Sequence, residues 1–274
     1  MLLGFVAVLG AASAFGHPPV SVVVDARGNA YYSDLDQVWR LAPDGTKTVA
    51  VPNVHTHELF LDAQGNLYGE HVWYNGDATK TWGHYVWRRA PDGKVSYVIP
   101  RRPGFLQNYG FVRDAAGNMY FAFGAEARHE VRKRAPNGAV SVVARGLGDI
   151  RWLHATPAGT LYVVDGVDVV RVARDGKVTR LARGLSSTSA TRPLVSIRHA
   201  VMGIWTDRAE NVYVADFAHG AVKRITPRAK VTVVAQSPLP WGPTGGTFTA
   251  TGDLLLLEAS ATNQVRVRRV AMKR

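Results

Sequence analysis

The sequence predicts an all-β fold, a six-bladed β-propeller built mostly from four-stranded blades. Three observations point to it. A turn signature recurs six times at intervals of about 40 to 50 residues; each copy sits between two apolar runs; and a third run, a second turn and usually a fourth run follow it. One twisted blade of this kind cannot bury both of its faces alone, so neighbours must stack around a channel. The turns and the β-branched runs exclude tandem helical hairpins.

The signature is clearest in Asp25-Ala-Arg-Gly28-Asn29-Ala-Tyr31, Asp62-Ala-Gln-Gly65-Asn66-Leu-Tyr68 and Asp114-Ala-Ala-Gly117-Asn118-Met-Tyr120. Weaker copies are Thr156 to Tyr162, Asp207 to Tyr213 and Thr249 to Leu255. Each places Gly, Asn or Asp where a tight hairpin needs positive φ. The third strand and second turn read as Val38-Trp-Arg-Leu-Ala-Pro43-Asp44-Gly45 and its counterparts ending at Gly93, Gly138 and Gly176. Fourth strands read as Thr48–Val51, Val95–Ile99, Val140–Val143, Val178–Leu181 and Val231–Val234. The sixth unit has Leu254–Glu258 and Gln264–Arg268 and then lacks a clear fourth strand.

That gap bears on the N-terminus. Residues 1–14 combine an apolar run with Ala12-Ser13-Ala14, the small-x-small pattern of a signal-peptidase site, although no Lys or Arg precedes the run. They read as a secretory signal, which implies a secreted or periplasmic protein with no membrane span once the signal is removed. The alternative is that Phe5-Val-Ala-Val-Leu9 is an outer strand closing the ring and covering an exposed edge. Residues 15–274 form a single propeller domain on either reading.

Composition narrows the chemistry. With 46% hydrophobic and 20% charged residues the chain has the balance of a globular protein with a substantial core. It contains no cysteine, so disulfides, thiolate metal sites and cysteine nucleophiles are excluded. The net charge of +12 would suit a polyanionic partner if it were clustered, but basic residues recur in every repeat, as in Trp39-Arg40, Trp87-Arg88-Arg89 and Val170-Arg171. Even spacing argues for solvated blade edges and against a nucleic-acid face. There is no phosphate-binding glycine loop and no Gly-x-Ser-x-Gly elbow.

The copy Asp207-Arg-Ala-Glu-Asn-Val-Tyr-Val-Ala-Asp216, followed by Val222-Lys-Arg-Ile-Thr-Pro227, resembles an NHL repeat, and the chain is similar to the senescence-marker-protein and gluconolactonase superfamily. The resemblance implies a six-bladed propeller. The activities it implies range from calcium- or zinc-dependent lactonases and esterases through a peptidyl-hydroxyglycine lyase and strictosidine-synthase-like proteins to non-catalytic binding propellers. It also implies a site at one mouth of the channel, on the starts of the innermost strands and the loops between second and third strands. These motifs specify turns and packing, so they speak to fold more than to function.

The repeats provide an internal standard for finding such a site. Eight residues before each turn glycine, or before Glu210 in its place, stand Val20, His57, Tyr109, Arg151, Met202 and Thr244; one place later stand Ser21, Glu58, Gly110, Trp152, Gly203 and Gly245. His57, Glu58, Tyr109 and Arg151 are the departures, with chemistry suited to general acid–base work and anion stabilisation. By resemblance, His57 falls where the lyase has a zinc-ligand His and near where the lactonases have a metal-binding Glu, but this is one ligand of a set.

Blade two departs most. Gly69 to Tyr85 lengthens the connection between its second and third strands and brings Glu70, His71, Trp73, Tyr74, Trp82 and His84 to the expected mouth. His57, Glu70, His71 and, from blade five, His219 are the candidate ligands of a divalent metal such as calcium or zinc. Trp73, Tyr74, Trp82 and His84 are candidates for holding a small molecule, glycan or peptide. The competing reading is that the tryptophans cover the blade's outer edge and that Arg151 pairs with Asp149 or Glu58. His154 reads as a satisfied core histidine, and His199 as a residue able to reach the mouth. Two functions stay open: a metal-assisted hydrolase or lyase acting on a small polar substrate, and a binding propeller without turnover.

Overall fold

The carboxylate that opens each full turn signature organises its hairpin. Asp25 Oδ1 accepts the backbone N–H groups of Arg27 and Asn29, both at 2.9 Å, and Oδ2 accepts Asn29 Nδ2 at 2.7 Å and the Tyr31 hydroxyl at 3.2 Å. Asp62, Asp114 and Asp207 bind the Asn and Tyr of their own copies in the same way. The repeated residues are thus spent on the turn, which is why they report fold rather than chemistry. In the fifth copy Glu210 occupies the glycine position with φ 57°, so among the six copies of this turn it is the one side chain that accepts the left-handed conformation.

The computed structural model describes residues 18–124, 128–187, 199–262 and 264–272, and its regular structure is all strand, in six antiparallel sheets. Blade 1 comprises β1 (Val22–Val24), β2 (Ala30–Ser33), β3 (Val38–Leu41) and β4 (Lys47–Val51); blade 2 comprises β5 (Leu59–Leu61), β6 (Leu67–Tyr74), β7 (Trp82–Arg89) and β8 (Val95–Pro103). Blade 3 comprises β9 (Val112–Arg113), β10 (Met119–Phe123), β11 (Glu130–Arg134) and β12 (Val140–Ala144); blade 4 comprises β13 (Ile150–Ala155), β14 (Leu161–Asp165), β15 (Asp168–Val172) and β16 (Val178–Ala182). Blade 5 comprises β17 (Val201–Thr206), β18 (Val212–Asp216), β19 (Ala221–Ile225) and β20 (Val231–Gln236), and blade 6 comprises β21 (Trp241–Phe248), β22 (Leu254–Ser260) and β23 (Val265–Val270). Strands within a blade pair in sequence order, and residues from the first strand of every blade line a central channel.

Blade 6 has three strands among the described residues, as the sequence anticipates. Residues 1–14, read as a signal or a closing strand, lie outside the described residues. Within the described residues blade 6 meets blade 1 by packing: Leu255 and Leu257 cluster with Val22, Ala30 and Tyr32. Gly245 permits the closest approach, since a Cβ there would lie 2.0 Å from the carbonyl oxygen of Val20.

Among the described residues, four apolar clusters cross five seams of the ring and make it cohesive. One joins blades 1 and 2 around Val38, Leu67 and Trp87, a second joins blades 3 and 4 around Val131 and Leu161, a third runs through blades 4, 5 and 6, and the last joins 6 to 1. Among the described residues no such cluster crosses from blade 2 to blade 3. This seam opens as a cleft.

The long connection of blade 2 is not a loop. β6 and β7 continue as a paired ribbon through His71↔Tyr85 and Trp73↔Gly83 to Tyr74↔Trp82, with the turn confined to residues 75–81. Alternating aromatic side chains suit a two-stranded extension, and Gly83 leaves the room that Trp73 occupies: a Cβ there would lie 2.1 Å from its ring.

Candidate active site

The cleft at the mouth has a volume of about 480 Å³ and is lined by His57, Glu58, Glu70, Tyr109, Arg128 and Arg151 among others. It continues beneath the 105–111 segment, where Phe105 and Leu106 join Tyr109 in the wall. Four sequence-predicted residues, His57, Glu58, Tyr109 and Arg151, together with Glu70, are therefore brought to one cavity from blades 2, 3 and 4.

Glu70 is fixed by the segment that enters its own blade. Its Oε1 accepts the backbone N–H of His57 at 2.6 Å and lies 3.2 Å from His57 Nδ1, while Oε2 is buried without a hydrogen-bond partner. A carboxylate on the Nδ1 side holds the ring proton there and leaves Nε2 as the basic nitrogen. Burial lowers the His57 pKa to about 4, so the ring is neutral at pH 7. Burial likewise raises the Glu70 carboxyl to about 7, against the pull of the N–H groups that it accepts.

Glu58 precedes β5 and stands between the cleft and the channel, lining both. Its carboxyl makes no hydrogen bond among the described residues. Burial first, and then the charge of Glu70, raise its pKa to about 7, while Arg128 and Arg113 act in the opposite direction. A carboxyl poised between its two protonation states at neutral pH can take or give a proton.

Arg151 is the extra residue of a bulge in β13, since Ile150 pairs with Asp165 and Trp152 with Val164. Bulges re-aim side chains, and this one brings Arg151 to the cleft while it pairs with Asp149. Thr244 occupies the equivalent bulge in blade 6, and in blade 5 the bulge falls one place later, at Gly203. Burial raises the Tyr109 phenol further above its usual range, so it stays neutral, as a donor must.

Other candidates lie elsewhere. His71 Nδ1 accepts the backbone N–H of His55 at 2.8 Å and its ring stacks between Trp73 and Tyr85, so this nitrogen is spent on the fold. His84 is buried and its Nδ1 donates to the Gly104 carbonyl at 2.7 Å, anchoring the segment over the cleft. Trp73 donates to Asn75 Oδ1. Tyr74 and Trp82 stand at the rim, where Trp82 stacks on exposed Phe105 with ring centres 4.8 Å apart. His219 belongs to blade 5, paired with Asp216. His154 Nε2 meets Thr206 Oγ1 at 2.9 Å, so this histidine has a partner as the sequence suggests, but it stands half-buried on the channel wall and not in a core, and His199 lines the cleft.

Sequence reasoning missed Arg113, Arg128 and Phe105. Arg113 was detectable: four residues before the turn glycine, or Glu210, the other repeats carry Val24, Leu61, Ala155, Thr206 and Phe248. Its guanidinium stands 5.3 Å from the ring centres of both Phe60 and Tyr109. Arg128 and Phe105 lie on connections whose length varies among blades, so the repeat offers no standard for them.

The resemblance implies a divalent metal, and the donors do not fit one. Among the described residues no group of three or more His, Asp and Glu side chains can hold an ion. The best-placed oxygen, Glu70 Oε1, is taken by His57.

No known family profile matches the sequence, and no curated protein matches it. Solved structures do. Virginiamycin B lyase from Staphylococcus aureus is 14% identical with a TM-score of 0.54, the match covering 93% of this chain and 85% of that one. A gluconolactonase from Xanthomonas campestris is 20% identical with a TM-score of 0.55, over 84% of this chain and 79% of that one. Regucalcin from Agrobacterium tumefaciens, a calcium-binding protein, is 17% identical with a TM-score of 0.58, over 89% and 84%. The shared feature is the propeller. At these identities the likeness establishes the fold, in agreement with the resemblance carried by the repeats.

Proposed function

We propose that the cleft between blades 2 and 3 catalyses hydrolysis or elimination on a small polar substrate bearing an ester, lactone or comparable C–O bond. The observation that carries this reading is Glu58: a carboxyl with a pKa near 7, without hydrogen-bond partners among the described residues, on the wall of a cleft that also holds two arginines and a phenol. Glu58 transfers the proton, His57 in its Nδ1–H form presents Nε2 as a second base, and Arg128 and Arg151 stabilise the oxyanion or leaving group. The lactonase and lyase propellers among the structural neighbours support the reaction class. The metal-assisted form of the proposal has no support from the donor set.

The test is turnover of a panel of lactones and aryl esters by the purified chain, followed by Glu58→Gln. Loss of kcat/KM by about 100-fold or more, with loss of an apparent pKa near 7 from the pH profile, is the expected result. Absence of turnover across the panel, or unchanged turnover in the variant, overturns the proposal.

A second reading, a binding propeller without turnover, is favoured by the contiguous rings of Tyr74, Trp82 and Phe105, tilted at the first contact and stacked at the second, since partly exposed aromatic faces suit sugar rings and aryl groups. It predicts saturable glycan binding that Trp82→Ala abolishes and Glu58→Gln retains. The apolar run before Ala12-Ser13-Ala14 supports extracytoplasmic placement, and a mature N-terminus at Phe15 is the measurement that would bear it out.

A further inference from the structure

Away from the cleft, the segment entering blade 5 and the β18–β19 turn bring Ser187, His219 and Asp216 together. Asp216 is fully buried. Its two carboxylate oxygens lie 3.0 and 3.1 Å from His219 Nδ1, and it also holds Ser186 Oγ at 2.8 Å and Lys223 Nζ at 2.7 Å. On the other side of the imidazole, His219 Nε2 lies 3.4 Å from Ser187 Oγ. The carboxylate keeps the ring proton on Nδ1, so Nε2 accepts from the serine hydroxyl. Lys223, which also donates to the Leu185 carbonyl, fixes the carboxylate from behind.

The turn does not require this arrangement. Asp165, at the same repeat position in blade 4, ties its own entering segment with its carboxylate alone, accepting the N–H groups of Gly148 and Asp149 at 2.8 and 2.7 Å. Blade 5 keeps the carboxylate and adds an imidazole and an exposed hydroxyl in line with it. A nucleophile within reach of a base that a third group orients is the arrangement required for covalent catalysis, and the serine–base distance is often loose without substrate.

We propose that Ser187 is a nucleophile, activated by His219 and oriented by Asp216, that acts on small carboxylic esters at a site separate from the Glu58 cleft. Ser187 Oγ bonds to the carbonyl carbon as its proton passes to His219 Nε2. The C–O bond to the alcohol then breaks, and the alcohol leaves with that proton. Water, deprotonated by the same nitrogen, releases the acid and restores Ser187.

A fluorophosphonate probe tests this without knowledge of the substrate: the Oγ–P bond forms, the P–F bond breaks, and fluoride leaves as the proton moves to His219. Wild-type protein is expected to gain the mass of one adduct, mapped by peptide mass spectrometry to Ser187. Ser187→Ala should gain none, and His219→Ala should label about 100-fold more slowly. Both side chains reach solvent, and a thermal melt checks that each variant is folded. No adduct on folded wild-type protein, an adduct on another residue, or equal labelling of folded His219→Ala overturns the proposal.

Discussion

Glu70 Oε1 receives the backbone N–H of His57 and faces the Nδ1 nitrogen of the same residue, at 2.6 and 3.2 Å. One carboxylate oxygen thereby fixes both the path of the chain into blade 2 and the tautomer of its histidine. Beside this pair, Glu58 is raised toward neutrality by burial and by the charge of Glu70.

The Glu58 shift makes stability depend on pH. The folded chain keeps the Glu58 proton up to about pH 7, whereas the unfolded chain releases it near 4.5, so stability falls as pH rises through that window. His57 works the other way: it is neutral down to about pH 4 when folded and protonated below 6.5 when unfolded, so stability falls as pH drops through its window. Glu58→Gln removes only the first effect. The variant is expected to gain on wild type between about pH 5 and pH 8, by on the order of 1 kcal/mol in urea unfolding. An equal difference at both pH values would count against a raised Glu58.

The two tryptophans of the blade 2 ribbon should behave differently. Trp73 fills the space over Gly83 and stacks with His71, so Trp73→Ala is expected to cost about 1 to 3 kcal/mol of stability. Trp82→Ala, at the rim, is expected to change stability by less than about 0.5 kcal/mol. Thermal melts of the two variants compare them directly.

Thr206→Val leaves His154 Nε2 without this partner on the half-buried channel wall. The expected cost is about 1 to 3 kcal/mol in urea unfolding. Turnover by the folded variant should match wild type, because this contact lies outside the cleft wall; reduced turnover would mean that His154 takes part in the chemistry.

Gly245→Ala tests the junction between the last blade and the first. The added methyl meets the Val20 carbonyl, so blade 6 must shift away from blade 1, at an expected cost of about 1 to 3 kcal/mol read as a lowered Tm. Wild-type stability in this variant would show that the contact does not hold the ring together.

The chain specifies, through its repeats, the six turns, the strand order within each blade and a sixth unit without a clear fourth strand of its own. These depend on short-range patterns: an aspartate binding an Asn and a Tyr four and six residues later, and apolar runs between such turns. It also determines that His57, Glu58, Tyr109 and Arg151 depart from the repeat at one end of the channel, because equivalent positions in a propeller lie at equivalent heights. What those departures do depends on contacts between segments far apart in the chain. Glu70 became an anchor for His57, while His71, at the repeat position of Asp165, became an acceptor for His55. Arg113 and Arg128 came to act on Glu58. The seam between blades 2 and 3 opened because no apolar cluster crosses it among the described residues. Contacts of that kind join residues on different blades, and a repeat pattern, which compares each blade with the others one position at a time, holds no information about which side chains meet across a seam.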